Sequence, residues 1–241
     1  MVTLVALLAL GLTVALGVWQ LGRAQLKRAL LQQWQTQRAL PALGWDELRD
    51  AAARGTLQTL HGRPVRLVGR WLPEATVLLD NRPWQGRAGF IAVTPLRAPH
   101  GAVAVLVQRG WLPRSAPGDS ALPQLVTPAD GEITVEGWLA PPPSRLLELG
   151  PAAPGLIRQN IDVAEVAAQW RLPLLQASVQ QSGPEEHTAD GMTLVRDWPV
   201  VAVAPEKHVG YAVQWFALAA LIAGLYVWFQ IVLPRRRGLA R

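Results

Sequence analysis

The stretch EKHVGYAVQWFALAALIAGLYVWFQIVLPRRR, from Glu206 to Arg237, decides how the chain is organised. Its central part, Val209 to Leu233, is an uncharged run of 25 residues, which is long enough to cross a bilayer with some tilt. Val2 to Trp19 is a second uncharged run, of 18 residues, which spans about 27 Å as a helix, just enough for a bilayer core. The sequence therefore predicts two transmembrane helices.

We expect the first run to stay in the protein as a span rather than to be removed as a secretory signal. The chain begins MVT, without a basic side chain, and the run closes on GVWQLGR without a small-residue cleavage pattern. Small residues in the two runs allow close backbone approach, so we expect the two helices to pack together. The glycines concerned are Gly11, Gly17, Gly210 and Gly224.

The arginine-rich tail PRRRGLAR predicts cytoplasmic termini, because positive charge accumulates on the cytoplasmic side. Arg23, Lys27 and Arg28 follow the first run and argue the other way, but long loops cross a membrane largely regardless of charge. The expected organisation is a first transmembrane helix over residues 1–22, an extracytoplasmic domain over 23–207, a second transmembrane helix over 208–233 and a basic cytoplasmic tail over 234–241.

Charge and cysteine content exclude several classes of function. The net charge is +6, but four arginines lie in the tail, and without them 19 basic residues stand against 17 acidic ones. The outer domain is nearly neutral, which argues against nucleic acid as a partner. The chain has no cysteine, which excludes a disulfide framework, a thiolate metal site and a redox thiol.

Between the two spans the sequence predicts a mainly antiparallel β domain, barrel-like or a sandwich, with one or two short helices. Leu26, Leu30 and Trp34 extend the first helix outward to Pro41. GWDELRDAAARG predicts a short helix, and NIDVAEVAAQW predicts another, opened by Asn160 or Asp162. The predicted strands cover residues 63–71, 75–82, 88–97, 102–113, 131–139 and 172–181.

The sequence contains no recognisable enzyme motif, so we expect no catalytic activity. A G-x-S-x-G elbow, an H-E-x-x-H pair and a P-loop are all missing. Three of the four histidines, His61, His100 and His187, lie in polar, turn-like segments and are expected to be solvated.

His208 differs, because it stands at the outer edge of the second predicted span. Tyr211 and Trp215 follow at i+3 and i+7, so the three residues share a helix face. An interfacial aromatic belt explains the two rings well and the histidine less well. The alternative is an axial ligand for haem iron, since neutral imidazole binds it strongly. The residues alone leave both interpretations open.

Trp19, Gln20 and Arg23 occupy the corresponding edge of the first span. An anchoring tryptophan with a snorkelling arginine explains them. If the two spans pack together, Trp19 and Arg23 could instead face His208, with Arg23 meeting a haem propionate.

Arginines also lie beside glycines and tryptophans in DNRPWQGRAGF and VQRGWLP. Turns with solvated arginines, here Arg82, Arg87 and Arg109, are the usual interpretation. The eleven tryptophans add two further options, packing at a barrel rim or a surface that meets a membrane or a partner.

The ordered set of motifs resembles the Surfeit locus protein 1 family, the cytochrome c oxidase assembly factors of bacteria and mitochondria. The exit from the first span, GVWQLGRAQLKRALL, and the strand motifs VRLVGRW, LLDNR, GRAGFIAVTPL and VLVQRGWLP look like those of the family. LVRDWPV and HVGYAVQWFALA look like its approach to the second span. Together these motifs cover most of the chain.

The resemblance implies an inner-membrane protein with a periplasmic domain that helps to build the largest, haem-bearing subunit of the oxidase. It implies haem a as the cofactor, His208 as the candidate ligand, and the haem a synthesis machinery as a further candidate partner beside membrane lipid. The alternative is a membrane scaffold that stabilises a nascent oxidase subunit without holding haem itself.

Overall fold

The computed structural model describes residues 1–99, 103–114, 123–127, 131–147, 155–200 and 204–239. The chain divides into two compact units. The helical unit comprises residues 1–33 and 199–241, and the barrel unit comprises residues 34–198.

The helical unit is built from two long helices. The first, α1, runs without a break over Val2–Arg38, so its last turn belongs to the barrel unit. The second begins as α4 over Pro205–Val227, continues as a π-turn over Trp228–Val232 and ends as α5 over Leu233–Leu239. Pro234 explains the π-turn, because its ring lacks an N–H and clashes with the carbonyl one turn earlier. Both helices are long and apolar enough to cross a membrane.

The two helices pack as an antiparallel pair, as the glycines predicted. At one end of the pair, the Tyr226 hydroxyl donates a hydrogen bond of 3.2 Å to Thr3 Oγ1. Further along, Gly17 is buried against Phe216: a Cβ at Gly17 would lie 2.7 Å from Phe216 Cε1. No neighbouring atom lies within 4 Å of a Cβ built on Gly11, Gly210 or Gly224. Of the four glycines named from the sequence, only Gly17 therefore serves the helix packing as expected.

The barrel unit is a seven-stranded sheet that closes on itself. Its strands are β1 (Pro64–Trp71), β2 (Val77–Leu79), β3 (Gly89–Arg97), β4 (Ala104–Pro113), β5 (Ile133–Ala140), β6 (Ile157–Arg158) and β7 (Leu174–Gln181). They follow the order β1-β5-β7-β4-β3-β2-β6, and a pairing of β1 with β3 closes a five-stranded barrel.

Glycine allows the barrel to close. In β1, a Cβ on Gly69 would lie 2.4 Å from the carbonyl oxygen of Arg97 in β3. In β5, a Cβ on Gly137 would lie 2.3 Å from the carbonyl oxygen of Gln180 in β7. Because only glycine permits such close backbone approach, a side chain at either position would force the neighbouring strands apart.

The barrel is filled on the inside and partly covered on the outside. Leu67, Leu96, Val107 and Leu139 belong to the inner cluster, together with Leu48 of α2 (Trp45–Ala53). On the other side, α3 (Val163–Trp170) packs Val163 and Val166 onto Val77 and Leu106. With both faces covered, β4 is buried along almost its whole length.

The predicted elements are confirmed with small shifts at their ends, except that the strand predicted over residues 75–82 shortens to the three residues of β2. Asp162 caps α3, since its Oδ1 accepts from the backbone N–H groups of Ala164 and Glu165. The sequence did not indicate the short strand β6 or the two parallel pairings, β4 with β7 and β2 with β6. The other pairings are antiparallel, as expected.

The expectation of solvated arginines is wrong for two of the three. Arg109 is 2 % exposed and Arg82 is 5 % exposed, whereas Arg87 is exposed. Arg82 donates to Ser144 Oγ at 3.2 Å and to the carbonyl oxygen of Gln159 at 2.8 Å. Burial lowers the pKa of Arg82, while the charge of Asp80 acts in the opposite direction. The guanidinium groups of Arg82 and Arg109 therefore belong to the interior of the barrel unit.

The tryptophans of these motifs serve packing. Trp71 and Trp111 are buried. Trp111 donates its indole N–H to the carbonyl oxygen of Arg82 at 2.7 Å, and its ring lies 5.2 Å from that of Trp84. The barrel-rim explanation fits these rings.

Candidate functional site

His208 lies in the first turns of α4, which begins at Pro205. Proline fits a first helical position because the N–H it lacks has no partner there. The imidazole of His208 faces α1, where its Nδ1 lies 2.8 Å from Oε1 of Gln20. Two residues that are 188 positions apart in the chain thus meet within the helical unit.

This contact determines which ring nitrogen of His208 carries the proton. The Gln20 oxygen can only accept a hydrogen bond, so Nδ1 is the donor. A neutral imidazole holds one such proton, and the lone pair is then on Nε2. Nε2 is buried and has no hydrogen-bond partner among the described residues. Buried polar atoms are satisfied in most proteins, which makes this nitrogen a candidate for a ligand contact.

The other residues predicted for the site lie around this pair with different exposure. Tyr211, one turn beyond His208, is 49 % exposed, and Trp215 is half-buried. Trp19 is 53 % exposed and stacks with Arg23, whose guanidinium carbon lies 5.6 Å from the centre of its ring. The contact that α1 makes to His208 therefore comes from Gln20, while Trp19 and Arg23 contact each other.

Sequence reasoning placed Gln20 among the anchoring residues and did not assign it to the histidine. The sequence signal that could have identified this role was the chemistry of the Gln20 side chain. Gln20 is a neutral amide at the end of an uncharged run, where a hydrogen-bonding group needs a partner. No local pattern identifies that partner, because His208 is 188 positions away.

The other described histidines, His61 and His187, belong to the barrel unit and lie outside the helix pair. His187 is exposed and its Nδ1 lies 3.1 Å from Thr193 Oγ1. His61 is half-buried rather than solvated, and burial lowers its pKa; its Nε2 is also buried without a hydrogen-bond partner among the described residues. His100 lies outside the described residues. Within the described ranges, no group of three histidine, aspartate or glutamate side chains could hold a metal ion.

A cavity in the barrel unit offers no metal donor. It measures about 580 Å³, and its described lining consists of prolines, leucines and neutral polar side chains such as Thr76 and Gln124. Such a lining lacks the charged or imidazole groups that bind iron or a propionate. The His208 region is therefore the better candidate site.

The chain is similar to known proteins over nearly its whole length. It matches the model of the SURF1 family over residues 7–220, a range that contains both Gln20 and His208. It is 26 % identical to a SURF1-like protein of Rickettsia felis over 230 residues, which are 93 % of this chain and 94 % of that protein. A SURF1-like protein of Rickettsia conorii is 26 % identical over 233 residues, covering 94 % of this chain and 88 % of that protein.

Proposed function

The chain belongs to the SURF1 family, and on this basis we propose that it binds haem a and assists haem insertion into the largest subunit of cytochrome c oxidase. Family membership implies a role in the assembly of cytochrome c oxidase, as an assembly factor rather than as a catalyst. The finer proposal, a haem-binding role, is supported by the geometry around His208.

The observation that carries the proposal is the orientation of one imidazole. Gln20 Oε1 accepts a hydrogen bond from the Nδ1–H of His208, and Nε2 is left with a lone pair and no partner among the described residues. Haem iron takes a neutral imidazole nitrogen as an axial ligand. Metal-binding histidines commonly donate their other N–H to a fixed acceptor, which sets the tautomer and the ring orientation. The Gln20–His208 pair has this form.

Neighbouring side chains supply the other contacts that a haem requires. The ring of Tyr211 offers exposed aromatic surface for a porphyrin, and Trp215 follows on the same helix face. Trp19 adds a further exposed ring, and the exposed guanidinium of Arg23 is suited to a propionate.

The site has features that favour transfer over permanent storage. His208 would supply one nitrogen ligand to the iron, and the helical unit contains no other histidine in its sequence. A second ligand position left weak or open would allow the receiving subunit to bind the iron. Nε2 also has almost no exposed surface, so a neighbouring group must move before iron can reach it.

The proposed location is the bacterial inner membrane, with the barrel unit in the periplasm and both termini in the cytoplasm. The two apolar helices and the arginines of the tail support this orientation. In this location His208 lies at the periplasmic edge of the membrane. The largest oxidase subunit is the proposed acceptor of haem a, and the haem a synthesis machinery is the proposed donor.

Removal of the imidazole tests the haem-binding role. His208→Ala should lose most of the bound haem, because the sequence of the helical unit has no other histidine to replace the ligand. The variant is purified from the membranes of cells that make haem a. Its visible absorption spectrum is then compared with that of wild type at equal protein concentration. The membrane level of the variant should remain normal.

His187→Ala is the matched control, because this histidine is exposed and belongs to the barrel unit. It should keep the wild-type haem content. If His208→Ala also keeps a full complement of haem with an unaltered spectrum, haem ligation by His208 is wrong, and the scaffold function becomes the better explanation.

A further inference from the structure

We propose that Gln20 is a positioning residue: its side-chain oxygen fixes the His208 imidazole as the Nδ1–H tautomer and leaves Nε2 as the free donor nitrogen. The proposed tautomer of His208 follows from the geometry of its hydrogen bond alone. The consequence for haem rests on the proposed function, and the experiment below separates the two.

The hydrogen bond between Gln20 and His208 determines where the proton of the ring lies. Gln20 Oε1 and His208 Nδ1 are 2.8 Å apart, which is a normal length for an N–H···O bond. The amide oxygen has no proton to donate, so the proton lies on Nδ1. Loss of the oxygen would remove the only hydrogen bond that the ring makes among the described residues and allow the proton to move to Nε2. A protonated Nε2 has no lone pair for a metal ion.

Packing of the two helices holds Gln20 at the required position. Gly17 lies less than one helical turn before Gln20 and contacts the ring of Phe216. Because α1 is continuous through this region, the contact fixes the rotation and depth of the Gln20 side chain relative to α4. The amide is therefore presented to His208 by rigid elements, which is the arrangement that precise ligand orientation requires.

The chemical nature of the acceptor also matters. A carboxylate acceptor raises the basicity of a metal-bound imidazole, whereas a neutral amide does so less. Gln20 thus orients the ring without strengthening the bond to iron as a glutamate would. A moderate ligand is suited to a carrier that must release its haem.

The first part of the test measures the tautomer in the full-length protein without haem. Histidine labelled with ¹³C and ¹⁵N is incorporated, and the His208 signals are assigned by their loss in His208→Asn; the chain has four histidines. Wild type should show His208 protonated on Nδ1. Gln20→Leu should shift the proton largely to Nε2, while Gln25→Leu, a change at an exposed glutamine of the same helix, should leave the spectrum unchanged.

The second part titrates the same proteins with ferric haem a and measures the midpoint potential of the bound haem. Gln20→Leu should weaken haem binding by about 10–100-fold, the usual effect of removing a partner of a metal-binding histidine. Gln20→Glu should bind more tightly and show a more negative potential, because the carboxylate makes the imidazole a stronger donor. These opposite shifts would not result from a purely structural defect.

The outcomes separate the two proposals. The positioning role is overturned if wild-type His208 carries its proton on Nε2, or if Gln20→Leu leaves the tautomer unchanged. It is also overturned if both Gln20 variants bind haem with wild-type affinity and potential while His208→Asn does not bind. If His208→Asn binds haem normally, the proposed haem function fails, and the tautomer measurement still decides the role of Gln20.

Discussion

The carboxylate of Glu186 balances two buried cations in the barrel unit. Its Oε2 accepts from Arg109 Nε at 3.1 Å and from Arg109 Nη2 at 2.7 Å. Its Oε1 accepts from Gln181 at 2.7 Å and lies 2.9 Å from Arg196 Nη2. Arg109 also lies over the ring of Trp71, at 5.1 Å. A single side chain thus joins β4, β7 and the segment that follows β7.

The pKa of Glu186 reflects this network. Burial alone would raise the pKa of the carboxyl, but the charge and hydrogen bonds of Arg109 lower it. The charge of Arg196 and the hydrogen bond from Gln181 act in the same direction, and the net result lies below the ordinary value. A carboxylate of this kind stabilises the fold at pH values above its pKa in the unfolded chain, about 4.3. The stabilisation is lost as the pH falls through the depressed pKa of the folded protein.

Replacement of Glu186 by glutamine should therefore destabilise the barrel unit. Two guanidinium groups would remain buried without an anion, at a cost on the order of 2–3 kcal/mol. The measurement is the denaturant midpoint, followed by tryptophan fluorescence at neutral pH. Wild type should also lose stability as the pH falls below about 4.3, and Glu186→Gln should show less of this loss.

Glu185→Gln provides the control, because the neighbouring glutamate is exposed. Its free energy of unfolding should stay within about 0.5 kcal/mol of wild type. Equal midpoints for the two variants would contradict a structural role of the Glu186 network.

At the scale of elements, the helix pair depends on the small size of Gly17. A side chain at this position would meet Phe216 Cε1, and the ring or the helix would have to move. Gly17→Leu should push α1 and α4 apart near this contact, with a cost of about 1–3 kcal/mol typical of overpacking. Gly11→Leu should be tolerated, because a Cβ there meets nothing within 4 Å.

Chemical cross-linking can measure this separation, since the natural chain has no cysteine. Cysteines introduced in place of Gln20 and His208 should be joined efficiently by a short bifunctional thiol reagent, because the native side chains are in contact. Adding Gly17→Leu should lower the yield several-fold, and adding Gly11→Leu should not. Equal yields in both variants would show that Gly17 does not control the spacing.

The elements themselves could be predicted from the sequence, because local patterns determine them. Alternating burial in β1 and the Asp162 cap of α3 follow from the identity of neighbouring residues. The parallel pairing of β4 with β7 could not be predicted, because it depends on which strands meet in the closed barrel. The two-residue strand β6 has too few residues to show a period.

The candidate site could be predicted only in part, for the same reason. His208 is conspicuous because a histidine at the entrance of a span needs an explanation. Its partner Gln20 and the burial of Arg109 both depend on contacts between residues far apart in the chain, 188 positions in one case and 77 in the other. Helix periodicity identifies faces within one element, and it does not determine which face of another element lies opposite.

At the scale of the whole molecule, the proposed orientation in the membrane can be tested by fusion. Alkaline phosphatase inserted between Arg114 and Gly131 should be active, because its disulfides form only outside the cytoplasm. The same enzyme fused after Arg241 should be inactive. The reverse pattern, inactive between Arg114 and Gly131 and active after Arg241, would invert the orientation and place His208 at the cytoplasmic edge.

The distance in sequence between Gln20 and His208 has a consequence for the order of events during synthesis. A ribosome adds roughly 5–20 residues per second, so the 188 positions between them take roughly 10–40 s to translate. During this time Gln20 has already been synthesised, whereas His208 has not. A chain that stops before α4 contains the barrel unit without the donor nitrogen. Only a chain translated through α4 can offer the imidazole, so under the proposed function an unfinished copy would be unable to bind haem through His208.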